Sequence, residues 1–396
     1  MSTDVGGMVI GVIGAGAMGS GIAQVAATAG HQVILGDVRA DALARARAST
    51  GKALDREVEK GRLDRAAGVG ILSRIRCVSD LPDGVEAFRD CGLIIEAVAE
   101  ELPMKRTLFQ RLEAIVGDGC ILATNTSSLP IGAISGGLHH PGRAIGIHFF
   151  NPAAVMPLVE IVPALATTAE VTARTRALVD AWGKATVVAS DTPGFIVNRI
   201  ARPFYGESLR QLEEGIADIA TIDWAMRDIG GFRMGPFELM DFIGNDVNYA
   251  VTKSVYEGFF NDPRYRPALA QRALVDAGMF GRKSGRGYYD YRDGASRPEP
   301  HRDVALGRAI VDRTLAMLVN AAVDAVYLRV ASPADIETAM MKGVNYPKGL
   351  LAWGDEIGAP VVLERLAALQ ADYGEERYRV SPLLRTRVKE GRGLFT

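Results

Sequence analysis

The chain has 396 residues, of which 48% are hydrophobic and 23% charged, and its 45 basic side chains nearly balance 47 acidic ones. This length exceeds what one hydrophobic core usually organises, so two or three domains are expected. The weak net charge argues against nucleic acid as a partner. Because no apolar stretch approaches the roughly 20 residues of a membrane helix, no membrane partner is expected either.

Two further exclusions come from the cysteines and the N-terminus. The three cysteines are widely spaced and form no C-x-x-C pair, so the sequence predicts neither a metal site nor a disulfide framework. The first residues carry Asp4 and lack the basic segment of a signal peptide. We therefore expect Cys77, Cys91 and Cys120 to be reduced, buried thiols, and the protein to be cytoplasmic.

Short β-branched runs alternate with helix-period segments over the first half of the chain, an alternation typical of parallel strands joined by crossover helices. The predicted strands are Met8 to Ile13, Val33 to Asp37, Leu93 to Val98, Ile121 to Thr124, Ala144 to His148, Leu158 to Val162 and Ala185 to Ala189. This pattern predicts an α/β domain over residues 1–190.

From Asp191 onward the pattern becomes helical, and Thr192-Pro193 is expected to start the first helix as cap and first-turn proline. A polar stretch over residues 292–302 then interrupts the helical pattern. The sequence therefore predicts a helical domain over residues 191–295 and a second helical domain over residues 303–396.

The second helical segment repeats the first at an offset of 114 residues without a gap. The matched pairs include Arg199 and Arg313, Ile222 and Ile336, Gly235 and Gly349, Asp241 and Asp355, and Gly244 and Gly358. Two amphipathic helices could share apolar positions by chance, but glycines and charged residues in one register indicate a tandem duplication.

A glycine-rich loop, Gly14-Ala15-Gly16-Ala17-Met18-Gly19, follows the first predicted strand and opens a helical pattern. In this context the three glycines are typical of the pyrophosphate-binding turn of a Rossmann domain. Asp37 ends the second strand, where a carboxylate would bind the adenosine ribose and repel a 2′-phosphate. The sequence therefore predicts NAD rather than NADP as the cofactor.

Ser127 and His148 are both predicted to follow or end strands, at the sheet edge where ligands bind in open α/β folds. Taken alone, a Thr-Ser-Ser run could be a helix cap, and a histidine at a strand end could be a hydrogen-bonded core residue. Their occurrence together favours a catalytic site.

The chain resembles the 3-hydroxyacyl-CoA dehydrogenase family over roughly residues 8 to 291. The resemblance is carried by GAGAMGSGIAQ, IIEAVAE, NTSSL, GIHFFNP, LVEIV, DTPGFIVNRI, GPFELMDFIG and GRKSGRGYYDY. It implies NAD-dependent oxidation of a 3-hydroxyacyl-CoA by a Rossmann domain followed by two tandem all-α domains of this family's C-terminal type.

The resemblance also implies roles for individual residues. His148 corresponds to the catalytic base, Glu160 to the carboxylate that orients it, and Ser127 and Asn198 to hydrogen-bond partners of the substrate's C3 oxygen. The implied NAD contacts are Glu100, Lys105, Ser127, Asn151 and Lys283, and Ser127 and Asn151 are also expected to contact substrate. Histidine suits the role of base because it can accept the hydroxyl proton near neutral pH.

Lys60 matches a CoA contact of the family, whereas Ala53 stands where some relatives have a CoA-binding serine. Several segments resemble the phenylacetate-pathway branch, which acts on 3-hydroxyadipyl-CoA. Arg233 replaces the proline of other members and of the repeat's own Pro347, so it could pair with a distal carboxylate. The alternative interpretation is a solvated loop arginine.

Three alternatives to a 3-hydroxyadipyl-CoA dehydrogenase stay open at this point. They are a short-chain 3-hydroxybutyryl-CoA dehydrogenase, a β-hydroxyacid dehydrogenase and a non-catalytic NAD-binding protein. Single-repeat relatives dimerise through the same helical domain, so the two repeats are expected to pair as an intramolecular pseudo-dimer. The sequence leaves open a homo-oligomer formed through other surfaces.

Overall fold

The computed structural model describes residues 7–79 and 85–395, so Asp4 and the N-terminal segment discussed above lie outside the described residues. The chain divides into two compact units, Met1–Thr192 and Pro193–Thr396. Both predicted helical segments belong to the second unit. The finer division into domains over residues 191–295 and 303–396 stays a proposal.

In the described part of the first unit, eight strands form one sheet in the order β3-β2-β1-β4-β5-β6-β7-β8. The strands are β1 Val9–Ile13, β2 Val33–Gly36, β3 Ile75–Val78, β4 Cys91–Glu96, β5 Ile121–Thr124, β6 Ala144–Phe149, β7 Leu158–Pro163 and β8 Ala185–Val188. The six helices described here are α1 Ala17–Thr28, α2 Ala40–Glu59, α3 Arg65–Ser73, α4 Leu102–Glu113, α5 Ile131–Ser135 and α6 Ala169–Ala181.

The sheet differs from the predicted all-parallel arrangement in two places. Strands β6 and β7 pair antiparallel, because the segment between Phe149 and Leu158 is too short to contain a crossover helix. Strand β3 was not predicted. It is an edge strand in which only Ile75 is buried, so it lacks the apolar run that identified the other strands.

The central strands bury side chains on both faces of the sheet. In β4, Leu93 and Ile95 join one apolar cluster while the intervening Ile94 joins the other. This two-sided burial follows from the period of two in a strand and accounts for the continuous apolar runs in the sequence.

In its described residues the second unit is built of helices. They are α7 Val197–Ile200, α8 Arg202–Glu213, α9 Ile219–Trp224, α10 Pro236–Ile243, α11 Asn245–Gly258, α12 Leu269–Asp276, α13 Val304–Tyr327, α14 Pro333–Gly343, α15 Leu350–Ile357, α16 Ala359–Tyr373 and α17 Pro382–Glu390. The expected helix start at Thr192-Pro193 was wrong. Gly194 has φ +74° and Phe195 has φ +47°, so the chain reaches helical geometry only after them, at Val197.

Helices α10 and α15, which occupy equivalent places in the two helical segments, have the same hydrogen bonds at their N-termini. Asp223 accepts hydrogen bonds from the backbone N–H groups of Phe237 and Glu238, in the first turn of α10. Glu337 accepts from Leu351 and Ala352 in the first turn of α15, with every residue shifted by 114. A carboxylate on the preceding helix thus satisfies amides that would otherwise have no partner.

The ends of the two segments also match, although at a different offset. Asp241 accepts from the backbone N–H groups of Tyr288 and Tyr289. Its counterpart Asp355 accepts from Leu394 and Phe395, which follow at an offset of 106. The expectation of a repeat without a gap was therefore wrong at its C-terminal end, where the second copy is shorter.

Candidate active site

The glycine-rich loop lies between β1 and α1, at the carboxyl edge of the sheet. Gly14 has φ +106°, and a Cβ there would come 2.4 Å from the carbonyl oxygen of Ala97. A Cβ on Gly19 would come 1.7 Å from the carbonyl oxygen of Gly14. A Cβ on Gly16, by contrast, would meet no atom within 4 Å. Two glycines are therefore required by packing, and the third leaves open space beside the backbone.

The surroundings of this loop fit a dinucleotide. Helix α1 starts without a side-chain cap at Gly16, so its first amides are available to a pyrophosphate. At the end of β2, Asp37 accepts hydrogen bonds from the backbone N–H of Ala15 at 2.7 Å and of Arg39 at 2.9 Å. These two bonds orient the carboxylate beside the loop and leave it with lone pairs for a ribose diol. Ala17 and Met18 lie in the first turn of α1.

A buried polar network lies at the ends of β4 and β5. Lys105, which is 1% exposed, donates to Glu96 at 2.6 Å and lies 3.1 Å from Glu100. Burial alone would raise the pKa of Glu100, but the charge of Lys105 and the hydroxyls of Thr126 and Ser128 lower it below its ordinary value. Glu100 is therefore held ionised at neutral pH.

This network fixes the segment that contains Ser127. The backbone N–H of Ser127 donates to Glu100 at 3.2 Å, and Glu96 also accepts from the hydroxyl of Thr124 at 2.7 Å. The sequence interpretation missed Glu96, whose signal was an acidic residue at the end of an otherwise apolar strand. Lys105 has almost no accessible surface, which argues against a direct contact with NAD. Its predicted role as an NAD contact is not tested and stays a prediction.

His148 and Glu160 form a cross-strand pair on β6 and β7. The Nδ1 atom of His148 lies 2.6 Å from a carboxylate oxygen of Glu160, and the two residues are 5% and 0% exposed. The ring of Phe150 lies 4.6 Å from the imidazole, measured between centroids. The structure therefore brings together two residues that the sequence separates by twelve positions.

The remaining predicted site residues lie at the surface or in the second unit. Asn151 is exposed just after β6, and Lys60 is exposed after α2, 3.5 Å from Glu57. In the second unit, the ammonium of Lys283 lies 2.6 Å from Asp246. Asn198 is half-buried in α7, and Arg233 is exposed before α10. The ligand contacts of these residues stay predictions.

Within the described ranges, no group of three or more His, Cys, Asp or Glu side chains could hold a metal ion. No helix in these ranges is both long and apolar enough to cross a membrane.

Two family models match the chain. The model described as 3-hydroxyacyl-CoA dehydrogenase, NAD binding domain, matches residues 9–192. The model described as 3-hydroxyacyl-CoA dehydrogenase, C-terminal domain, matches twice, over residues 194–291 and 310–393.

Individual relatives agree with these models. A protein named 3-hydroxyadipyl-CoA dehydrogenase from Escherichia coli (strain K12) is 39% identical, over 96% of this chain and 97% of that protein. The 3-hydroxybutyryl-CoA dehydrogenase of Bradyrhizobium diazoefficiens is 41% identical over 74% of this chain and 98% of its own. Among solved structures, one titled 3-hydroxybutyryl-CoA dehydrogenase from Escherichia coli K12 has a TM-score of 0.91 and 38% identity, covering 97% of this chain and 99% of that one.

Proposed function

Because the chain belongs to the 3-hydroxyacyl-CoA dehydrogenase family, an NAD-dependent oxidoreductase family, we propose that His148 and Glu160 are the catalytic pair that handles the hydroxyl proton. The observation that carries this proposal is the 2.6 Å contact between the two buried side chains at the end of β6. NAD supplies the acceptor for the hydride that leaves C3 of the substrate.

The proposal gives each member of the pair a distinct task. An ionised Glu160 can only accept a hydrogen bond, so Nδ1 of His148 carries the hydrogen and Nε2 is the atom that accepts the substrate proton. The buried carboxylate then stabilises the imidazolium that forms. In the reverse direction the same imidazolium protonates the C3 oxygen.

Ser127 and Asn198 are proposed to donate hydrogen bonds to the C3 oxygen. Glu100 supports this role for Ser127 because it holds the backbone N–H at 3.2 Å and so fixes the segment after β5. For Asn198 the support is its place in the IVNRI motif. Donors aimed at this oxygen would stabilise the developing alkoxide.

The catalytic pair is tested by His148→Gln and Glu160→Gln, with the exposed His139→Gln as a matched control. We expect kcat for a 3-hydroxyacyl-CoA to fall about 10²- to 10⁴-fold in both variants, since general acid–base catalysis contributes that much. NAD affinity, measured by fluorescence titration, should stay unchanged. Near-normal turnover in both variants would overturn the assignment.

We further propose that the substrate is dicarboxylic, with 3-hydroxyadipyl-CoA as the candidate. The support is the Escherichia coli relative of that name, which spans both helical repeats, and the exposed Arg233, which could pair with a distal carboxylate. The second candidate is a 3-hydroxybutyryl-CoA dehydrogenase, because the Escherichia coli structure with that title also spans nearly the whole chain.

The rates of 3-hydroxyadipyl-CoA and 3-hydroxybutyryl-CoA oxidation distinguish these candidates. Arg233→Met should lower kcat/KM for the adipyl substrate and leave the butyryl rate nearly unchanged. The control is Arg227→Met. Arg227 is an exposed arginine in the same region, and it pairs with Asp228. If Arg233→Met changes both rates by one factor, the arginine does not read the distal carboxylate.

We also propose that the two helical repeats form an intramolecular pseudo-dimer. In a two-fold interface, equivalent elements contact each other. Helix α8 packs against its counterpart α13, and the rings of Phe232 and Tyr346, which are related by the 114-residue offset, lie 5.0 Å apart.

Buried arginines support the same arrangement. Arg199 of the first repeat lies 3.5 Å from Asp324 on α13, and its counterpart Arg313 lies 3.0 Å from Glu207 on α8. Each arginine also contacts an aromatic ring, and the two rings are related by the same offset of 114 residues. The Cζ atom of Arg199 lies 4.8 Å from the centroid of the Phe259 ring, and that of Arg313 lies 4.9 Å from the centroid of the Tyr373 ring. Each repeat thus sends an equivalent arginine to a carboxylate of the other.

Deleting residues 303–396 tests the pseudo-dimer, because the deletion would expose the apolar face of the first repeat. We expect aggregation or dimerisation, measured by size-exclusion chromatography with light scattering. A truncated chain that stays monomeric and equally stable would show that the repeats do not pair in this way. Homo-oligomerisation through other surfaces stays a prediction.

We place the enzyme in the cytoplasm, and the support is chemical. Cys91 and Cys120 are buried free thiols, which suit a reducing compartment, whereas Cys77 is exposed, contrary to the expectation that all three thiols are buried. Fractionation of cells that express the chain, followed by immunoblotting, tests this placement.

A further inference from the structure

A cleft of about 500 Å³ lies in the second unit, between Gly230 and Gly231 of the first repeat and helices α13, α15 and α16 of the second. This volume is within the range of small-molecule sites in proteins, about 300–1,000 Å³. None of its lining residues belongs to the NAD-binding unit, so His148 and Glu160 are not part of the cleft.

The repeat relates this cleft to residues that were predicted to bind substrate. Its lining residue Asp312 corresponds to Asn198 at the 114-residue offset, and its lining residue Pro347 corresponds to Arg233. The cleft therefore contains the counterparts of two residues that were predicted to contact substrate. The carboxylate of Asp312 has no N–H to donate to a carbonyl or alkoxide oxygen, and it is bonded to Arg365 at 2.8 Å. Asp312 therefore cannot take the role proposed for Asn198, although the cleft has room for a ligand.

The charges that line the cleft favour an anion. Arg308, Lys348 and Arg365 face one lining carboxylate, Asp312. Asp312 neutralises Arg365, and Lys348 is paired with Glu356 at 2.7 Å. Arg308 is exposed and has no hydrogen-bond or ion-pair partner among the described residues. The guanidinium of Arg308 is therefore available to a carboxylate or phosphate.

Apolar side chains also line the cleft. Val311 and Leu315 are buried on α13, and Trp353 and Ile357 line the cleft from α15. The Lys348 ammonium lies 5.9 Å from the centroid of the Trp353 ring, so charge and aromatic surface adjoin. A ligand that matches both kinds of lining residue has an apolar chain and an anionic group.

We propose that this cleft is a second, non-catalytic binding site for an amphipathic organic anion, namely an acyl chain that carries a carboxylate or a phosphate. The anionic group pairs with Arg308, and the chain lies against Trp353 and the apolar side of α13. The proposal does not depend on the roles assigned to His148 and Glu160. It makes the second repeat a binding element as well as a packing partner.

Trp353 provides a local reporter in the full-length enzyme. Its fluorescence is followed during titration with hexanoate, which offers a carboxylate, and with butyryl-CoA, which offers phosphates and has no hydroxyl to oxidise. Saturable quenching is expected with at least one of the two probes. The probe that binds identifies the source of the anionic group.

Three variants locate the binding. Trp353→Phe should remove most of the quenching, since the other two tryptophans, Trp182 and Trp224, do not line the cleft. Arg308→Glu should weaken binding at least tenfold, while Arg385→Glu, the same change at an exposed arginine on α17, should leave the Kd unchanged. Melting temperatures equal to wild type confirm that the variants fold. Quenching that is undiminished in Trp353→Phe, an unchanged Kd in Arg308→Glu, or the absence of saturable quenching with both probes up to millimolar concentration would overturn the proposal. Dehydrogenase activity is not used as the readout, so this outcome is separable from failure of the proposed function.

Discussion

The two helical repeats show which parts of a domain survive duplication. Both retain the carboxylate that caps a helix start, and both retain the arginine that crosses to the other copy. Only the first keeps Asn198, and the second has Asp312 in its place. Interactions that hold helices together were kept in both copies, whereas a side chain whose proposed task is chemical was kept in one. The following predictions test this contrast.

The largest effect is expected from the arginine that connects the repeats. Arg313 is bonded to Glu207 at 3.0 Å and to Glu214 at 2.6 Å. Arg313→Met removes the nearest cation from both carboxylates, although Arg377 remains 3.6 Å from Glu207, and breaking a buried ion pair costs about 3–5 kcal/mol. Arg199→Met should cost less, because its own ion pair with Asp324 is longer, at 3.5 Å, and Asp324 keeps the closer Arg264 at 3.0 Å.

Urea denaturation measures both costs, with the exposed Arg385→Met as the surface control, expected within about 0.5 kcal/mol of wild type. If Arg199→Met lowers the unfolding free energy more than Arg313→Met does, the lengths of their ion pairs do not determine how much these two arginines stabilise the fold.

The second prediction concerns activity rather than stability. Asn198→Asp copies into the first repeat the residue that the second repeat has at Asp312. It removes an N–H donor and adds a negative charge next to a developing alkoxide, so kcat should fall about 10²- to 10³-fold. Asn261→Asp, the same chemical change at an exposed position of the same unit, should leave kcat unchanged. Equal activity of the two variants would mean that Asn198 has no role in the reaction.

The third prediction compares equivalent glycines. A Cβ on Gly349 would lie 1.9 Å from a carboxylate oxygen of Glu337, and one on Gly235 would lie 2.3 Å from the carboxylate of Asp223. Each Gly→Ala change should cost about 1–3 kcal/mol, the usual cost of overpacking. Thermal unfolding measures the loss. In Gly349→Ala the kcat of the folded enzyme should be normal, and a loss of kcat there would contradict a purely packing role.

The smallest effect is expected from a change of one pH unit. Burial raises the pKa of Asp223 to about 7, although the hydroxyl of Tyr289 and two amides oppose the shift. The folded state therefore holds this proton more tightly than the unfolded chain does. Its stabilising contribution is complete below the ordinary pKa of 3.8 and is lost as the pH rises through about 7.

Between about pH 4 and 7, Asp223 should therefore lower the unfolding free energy by up to about 1.4 kcal/mol per pH unit. Urea unfolding at several pH values measures this slope, and Asp223→Asn should remove the part due to this carboxyl. Burial also raises the pKa of the counterpart Glu337, so Glu337→Gln should change the slope in the same direction. If neither substitution changes the slope of the unfolding free energy against pH, protonation of these two carboxyl groups does not stabilise the folded state.

Much of the fold follows from local sequence patterns, and the exceptions have physical reasons. Apolar runs located seven strands, and the glycine-rich loop located the start of α1. Strand β3 was missed because its pairing with β2, rather than its own apolar content, makes it a strand. The antiparallel direction of β7 depends on the length of a connection, which residue periodicity does not report.

The site divides in the same way. His148 and Glu160 were predicted from motifs, and the ladder of β6 and β7 brings them to 2.6 Å. Glu96 was missed because the sequence does not show which cation pairs with an acidic residue at the end of an apolar strand. Its partner Lys105 is nine positions away on α4, and only folding brings the two charges together.

The antiparallel pairing of β6 and β7 has a consequence for how this site tolerates change. His148 and Glu160 are directly opposite in the ladder, so their spacing depends on strand register and not on the loop that joins the strands. Insertions within residues 151–157 can lengthen the loop without separating the pair. A slip of the ladder by a single residue, in contrast, would turn Glu160 to the other face of the sheet, because successive side chains alternate. The geometry of the His148–Glu160 pair is therefore robust to variation in the loop and sensitive to the backbone hydrogen bonds that fix the register.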